Sequence, residues 1–290
     1  MPSRIHRRCS WSVSAPVILA CLVAAPAAAQ TAREVRGAAA VEPVANEPPA
    51  KIVVDPPLAD PLSHGRVVIQ YRTENLHPAP VFGPAALAVS PRVGHIHVSV
   101  DDAPWVWVDA SGEPVILNGL PAGPHKVLLQ LETANHQLLD QGAVTFTVPE
   151  GAAASYSAQA AGGAPAAVPP TTEPPAKIII DAPNAEPLSR GVVFMQYRTE
   201  NLHILPVYGP AALAISPRVG HIHVTVDDAP WHWADASGVP IIIQGLTPGP
   251  HKILIQLVNA DHHAIDQRTV QVTVPAAMRM PGAGAGAGAH

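Results

Sequence analysis

The chain has 290 residues, 48% hydrophobic and only 13% charged, with 17 Lys and Arg against 22 Asp and Glu for a formal charge of −5. An acidic chain without a basic cluster excludes the electrostatic grip on nucleic acid or anionic membrane that basic patches provide. Both cysteines, Cys9 and Cys21, fall in the first thirty residues, so the rest of the chain offers no disulfide, thiolate ligand or thiol nucleophile.

Residues 1–29 read as a secretory signal: Arg4, Arg7 and Arg8, an apolar run from Val13 to Ala25 broken by Pro16, then Ala27-Ala28-Ala29. The run is too short and Ala-rich for a retained span, so no membrane span is expected after cleavage. Ile18-Leu19-Ala20 before Cys21 is a poor lipoprotein match, and a lipid anchor is the lesser alternative. Residues 30–49 are expected to be disordered. Residues 50–149 then recur without gaps at 176–275, at about two-thirds identity, so one module is used twice. Between the copies, residues 150–175 are rich in Pro, Ala and Gly and end in Thr171-Thr172-Glu173-Pro174-Pro175, the composition of an extended tether. Residues 276–290 form a low-complexity Gly-Ala tail. The folded matter is expected to be two beads on a string.

Within a copy the apolar pattern has the period of strands. Lys51–Asp55 is a short apolar run; Val67, Ile69 and Tyr71 alternate with Val68, Gln70 and Arg72; Ile96, Val98 and Val100 alternate with His95, His97 and Ser99. Val115–Leu117, Lys126–Leu131 and Val144, Phe146, Val148 bring the count to about seven strands. Asp109-Ala110-Ser111-Gly112 and Leu120-Pro121-Ala122-Gly123-Pro124 suit tight turns, and no window carries a helical stripe. The expectation is all-β: two tandem immunoglobulin-like antiparallel β-sandwich domains joined by the Pro/Ala-rich linker.

Apolar positions drift between the copies while five histidine pairs do not. Residues two apart on a strand share a face, so His95 and His97 stand roughly 6.6 Å apart opposite the core, close enough to grip one ion, and His221 and His223 repeat the pattern. His125/His251 and His136/His262 are candidate further ligands; His77/His203 is the fifth pair. With no thiolate and no Met-rich segment, imidazole and carboxylate ligands suit Zn²⁺ or Cu²⁺ better than Cu⁺. The same pattern also fits a solvated strand face. His125 shares its strand parity with core-facing Val127 and Leu129, so a site using it together with His95 and His97 needs the strand's rim, the other copy or a second molecule.

Asp101-Asp102-Ala103-Pro104-Trp105 with Trp107, matched by Asp227-Asp228-Ala229-Pro230-Trp231 with Trp233, is the other constellation. The aspartates either bind a cation or serve as turn residues; the tryptophans either stack on a protein or glycan partner or belong to the core. His232 and His263 occur only in the second copy.

No Gly-x-Ser-x-Gly elbow, His-Glu-x-x-His helix or nucleotide-cradling Gly loop is present, so a non-enzyme is expected. Gly94-His95-Ile96-His97-Val98-x-Val100-Asp101-Asp102-Ala103-Pro104-Trp105, followed by Gly119-Leu120-Pro121-x-Gly123-Pro124-His125-Lys126, resembles an uncharacterised family of exported bacterial domains of unknown function. The resemblance implies a sandwich fold and a periplasmic or secreted bacterial protein, and brings no activity. The leading expectation is metal binding at the paired histidines; the alternative is a metal-free adhesion or scaffolding module with an unknown protein or glycan partner on its Trp edges.

Overall fold

A computed structural model describes residues 48–87, 90, 92–152 and 174–276. The leader, most of the 30–49 segment, most of the linker and the Gly-Ala tail lie outside the described residues. Copy 1 forms nine strands: β1 Lys51–Val54, β2 Arg66–Ile69, β3 Tyr71–Glu74, β4 His77–Pro78, β5 Val93–Val100, β6 Val106–Asp109, β7 Val115–Asn118, β8 Gly123–Thr133 and β9 Leu138–Val148. Copy 2 repeats them as β10 Lys177–Ile180, β11 Val192–Met195, β12 Tyr197–Glu200, β13 His203–Ile204, β14 Val219–Val226, β15 His232–Asp235, β16 Ile241–Gln244, β17 Gly249–Asn259 and β18 Ala264–Val274. Among the described residues, four short helices accompany the strands: α1 Ala59–Ser63, α2 Pro84–Leu87, α3 Ala185–Ser189 and α4 Pro210–Ile215. None is long and apolar enough to cross a membrane.

The expected all-β antiparallel architecture holds, with more strands than the seven expected. Gln70 interrupts the second predicted strand, and Gly123-Pro124 opens β8 instead of closing a turn. The larger difference is between the copies. The sheet β9-β8-β5-β6 of copy 1 continues through β6 into β16 and β11 of copy 2; the sheet β18-β17-β14-β15 of copy 2 continues through β15 into β7 and β2 of copy 1. Each copy thus supplies five strands of one sheet, counting β4 beside β5 or β13 beside β14, and two of the other, and the two sandwiches are fused edge to edge. The two beads of the sequence reading are one continuous body, because β6 and β15 are short open edges that would otherwise leave backbone groups unpaired.

Inward residues of both sheets form one apolar cluster: Ile96, Val98, Leu129 and Leu131 of copy 1 with Ile222, Val224, Ile255 and Leu257 of copy 2 are all fully buried. At the junction Trp105 stacks on Trp231, ring centroids 5.8 Å apart, and Trp107 on Trp233 at 4.9 Å. Gly119 is required there: at φ +79 it sits where a Cβ would lie 2.6 Å from the Pro230 carbonyl of the other copy, and Gly245 repeats this against Pro104.

Candidate metal centres

On β5 the alternation places Ile96, Val98 and Val100 in the core and His95 and His97 on the outer face. That face is covered. Phe82 lies against His95, centroids 5.3 Å apart, and the Gly83 N–H donates to the Ala134 carbonyl at 2.7 Å, pinning the cover to the turn after β8. In copy 2 Tyr208 covers His221 at 4.9 Å, and the Gly209 N–H donates to Ala260. His95 and His221 are 0% exposed. Gly94 and Gly220 admit the neighbouring strand so closely that a Cβ there would meet its carbonyl oxygen at 2.0 Å.

The third imidazole comes from the β8–β9 turn. His136 has φ 58 and its N–H donates to Thr133; His262 has φ 63 and donates to Asn259. A left-handed conformation is uncommon outside glycine and clusters at functional sites, where the surroundings hold it in place. His136 Nδ1 lies 3.1 Å from His95 Nε2 and 3.1 Å from His97 Nε2. In copy 2 the triangle is complete: His221 Nε2 to His223 Nε2 3.1 Å, His221 Nε2 to His262 Nδ1 3.1 Å, His223 Nε2 to His262 Nδ1 3.0 Å.

Three ring nitrogens cannot satisfy one another. Each is a donor or an acceptor, so in any triangle at least one contact is donor to donor or lone pair to lone pair. A cation on the axis removes the conflict by using all three lone pairs. His221, His223 and His262, and in copy 1 His95, His97 and His136, are the residues that would hold such an ion, each through one ring-nitrogen lone pair.

The rings are held neutral, as metal ligation requires. Burial, then the neighbouring His97 and His136, push His95 down to about 3; burial and His136 push His97 down to about 4. Burial, Arg66 and His232 lower His221 to about 3; burial, then His232, His221, His262 and Arg66, hold His223 well below the usual imidazole range; burial, then His221, Arg66 and His232, push His262 down to about 2. Glu132 joins the first cluster: Oε1 lies 3.2 Å from His97 Nδ1 and Oε2 3.8 Å from His136 Nδ1. A carboxylate on Nδ1 makes that nitrogen the donor and turns the Nε2 lone pair toward the cluster. His95, His97, Glu132 and His136, and separately His221, His223 and His262, each offer ligand atoms within 4.8 Å of one another.

The family described as "Family of unknown function (DUF6130)" matches residues 8–157 and 150–284, once per copy. The chain belongs to this family. No curated protein matches the DUF6130 chain. Among solved structures, the fibronectin(III)-like modules of Clostridium thermocellum CbhA align with 77% of this chain and 94% of theirs at 10% identity and a TM-score of 0.24, too distant to carry an argument.

Of the residues expected at the site, the structure brings together His95, His97 and His136, and His221, His223 and His262. His125 and His251 are elsewhere. Each ring nitrogen of His125 faces an oxygen acceptor, Nδ1 to Asp101 Oδ2 at 2.7 Å and Nε2 to the Pro121 carbonyl at 2.7 Å; His251 does the same with Asp227 and Thr247 at 2.6 Å each. Burial works against a charged His251, but these bonds and the Asp227 charge outweigh it and raise its pKa. A ring so engaged has no lone pair for a metal, so these histidines are turn pins.

Asp101, Asp102, Asp227 and Asp228 are turn residues with φ between 51 and 55. Asp101 accepts from the Lys126 N–H at 2.9 Å and Asp102 from its Nζ at 2.7 Å, and Asp227 and Asp228 do the same with Lys252. Trp105, Trp107, Trp231 and Trp233 are spent on one another at the junction, so the Trp edges that the alternative reading offered to a partner are an internal contact.

Glu132 was missed because copy 2 has Val258 there and the sequence argument followed shared positions. Contributions across the junction were missed for the same reason. Gln244 Nε2 of copy 2 lies 3.3 Å from His136 Nδ1. Its counterpart Asn118 is 0% exposed, with neither amide atom hydrogen-bonded, and stands in register with His232, whose ring stacks on His223 at 4.2 Å.

Proposed function

We propose that the chain is an exported bacterial metal-binding protein that holds a transition-metal ion, Zn or Cu, in the three-histidine cluster of each copy, binding the ion without catalytic turnover. The observation that carries the reading is the triangle of ring nitrogens 3.0–3.1 Å apart in copy 2, with its counterpart in copy 1, in both cases under an aromatic cover and with neutral rings. Imidazoles without thiolates suit Zn²⁺ and Cu²⁺. Neutral buried rings bind without proton competition near neutral pH.

The test is calorimetric titration of the EDTA-stripped, tag-free chain with Zn²⁺ and Cu²⁺, beside a variant with His95, His97, His221 and His223 all changed to Ala. Sub-micromolar binding that is lost in the folded variant supports the proposal. Absence of binding, or binding unchanged by the substitutions, overturns it.

A further inference from the structure

The two centres share their three histidines, their aromatic cover and their left-handed turn, and differ in the charged and polar groups around them. In copy 1 the Glu132 carboxylate contacts the cluster; in copy 2 that position is Val258, and among the described residues no carboxylate offers a ligand atom to the three nitrogens. The flank supplied by the junction differs too. Beside the copy 1 cluster the outer face carries Val106, Gln244 and Val192 in register; beside copy 2 the same positions are His232, Asn118 and Arg66. Arg66, which belongs to copy 1, is near enough to act electrostatically on His221, His223 and His262. Finally His136 is exposed, whereas all three histidines of copy 2 are buried.

We propose that the two centres are matched to ions of different charge: copy 1 to a divalent ion such as Zn²⁺, copy 2 to monovalent copper. This rests on the metal-binding reading above. The penalty for burying an ion grows with the square of its charge, so a dication costs about four times as much as a monocation in the same environment. Copy 1 offsets that penalty with a carboxylate and partial access to water. Copy 2 supplies no anionic ligand, is more deeply buried and has a guanidinium nearby, so the steep burial cost of a second charge is not offset and the repulsion adds to it. The preference of imidazole and carboxylate ligands for a dication over Cu⁺ therefore holds for copy 1; in copy 2 the carboxylate is missing and the burial cost shifts the balance toward Cu⁺, the monovalent transition-metal ion that imidazole nitrogen accepts.

The experiment isolates each centre in the full chain. His221→Ala with His262→Asn leaves copy 1 alone; His95→Ala with His136→Asn leaves copy 2 alone. Zn²⁺ affinity is measured by chelator competition, and Cu⁺ affinity anaerobically against a chromogenic Cu⁺ chelator. The ratio of Cu⁺ to Zn²⁺ affinity is expected to be at least tenfold higher for copy 2. Glu132→Val raises the ratio in the copy 1 chain, and Arg66→Val, which restores the residue found at position 192, lowers it in the copy 2 chain without burying a new charge. Equal ratios, or ratios that ignore both substitutions, overturn the inference while leaving metal binding intact. If neither ion binds either chain, the metal-binding reading falls and takes the inference with it.

Discussion

Glu132 Oε1 lies 3.2 Å from His97 Nδ1, a carboxylate held against the back of an imidazole whose other nitrogen faces two more histidines. Glu132→Gln keeps an acceptor for that N–H but removes the charge. Zn²⁺ affinity at the copy 1 centre is expected to fall about 10–100-fold, the usual effect of losing such a partner. Burial already raises the Glu132 pKa, so the metal-free fold should not suffer. Chelator competition and urea unfolding of the same variant read the two effects separately; a destabilised apo fold with unchanged affinity would contradict the assignment.

The stack of Trp107 on Trp233 and the β6–β16 and β15–β7 pairings make the copies one cooperative body. Residues 48–152 alone would leave β6 and β7 as open edges beside an unmatched tryptophan face. The isolated repeat is therefore expected to form a homodimer that rebuilds the same junction, seen by light scattering after size exclusion. Trp107→Ala in the full chain should cost about 3–5 kcal/mol in a single unfolding transition. A stable monomeric repeat, or two separate transitions, would argue for independent beads.

Acid should destabilise the metal-free protein early. His95, His97 and His221 have folded pKa values of about 3, 4 and 3 against an unfolded value near 6.5. Below 6.5 the unfolded chain binds more protons, so the stability present above that pH is lost progressively as pH falls toward the folded values. Asp109, pushed up to about 6 by burial, runs the other way, contributing stability below its unfolded value that is lost as pH rises through 6. Glu132 and Asp235 are raised too, but three carboxylates oppose seven histidines. The urea midpoint is expected to drop between pH 6.5 and 4, and to drop less in a His221→Gln, His223→Gln variant.

His136 and His262 hold left-handed backbone at φ 58 and 63, a conformation that Asn also tolerates. His262→Asn should leave thermal unfolding of the apo chain nearly unchanged while removing one equivalent of bound metal. A large loss of apo stability would make the residue a structural pin like His251.

Strand alternation placed Ile96 and Val98 inside and His95 and His97 outside correctly, because a two-residue period needs only local sequence. It could not distinguish His136 from His125, since both are repeated histidines near strand ends. What separates them is whether oxygen acceptors already occupy the ring, as Asp101 and Pro121 do for His125. Trp105 and Trp107 stayed open between a partner and the core for a related reason: a tryptophan on a sheet edge looks the same in sequence whether a partner or the second copy covers it. Glu132 and Arg66 were illegible because agreement between copies was the guide, and these are positions where the copies disagree.

The central claim is that three imidazoles in each copy converge on one ion. The most direct measurement is zinc anomalous scattering from crystals of the chain grown with Zn²⁺. The account predicts anomalous peaks about 2.0–2.1 Å from His95 Nε2, His97 Nε2 and His136 Nδ1, with the same arrangement at His221, His223 and His262, the copy 2 peak being the weaker at limiting zinc. Empty clusters, with zinc only on surface side chains such as His64 or Asp102, would contradict it.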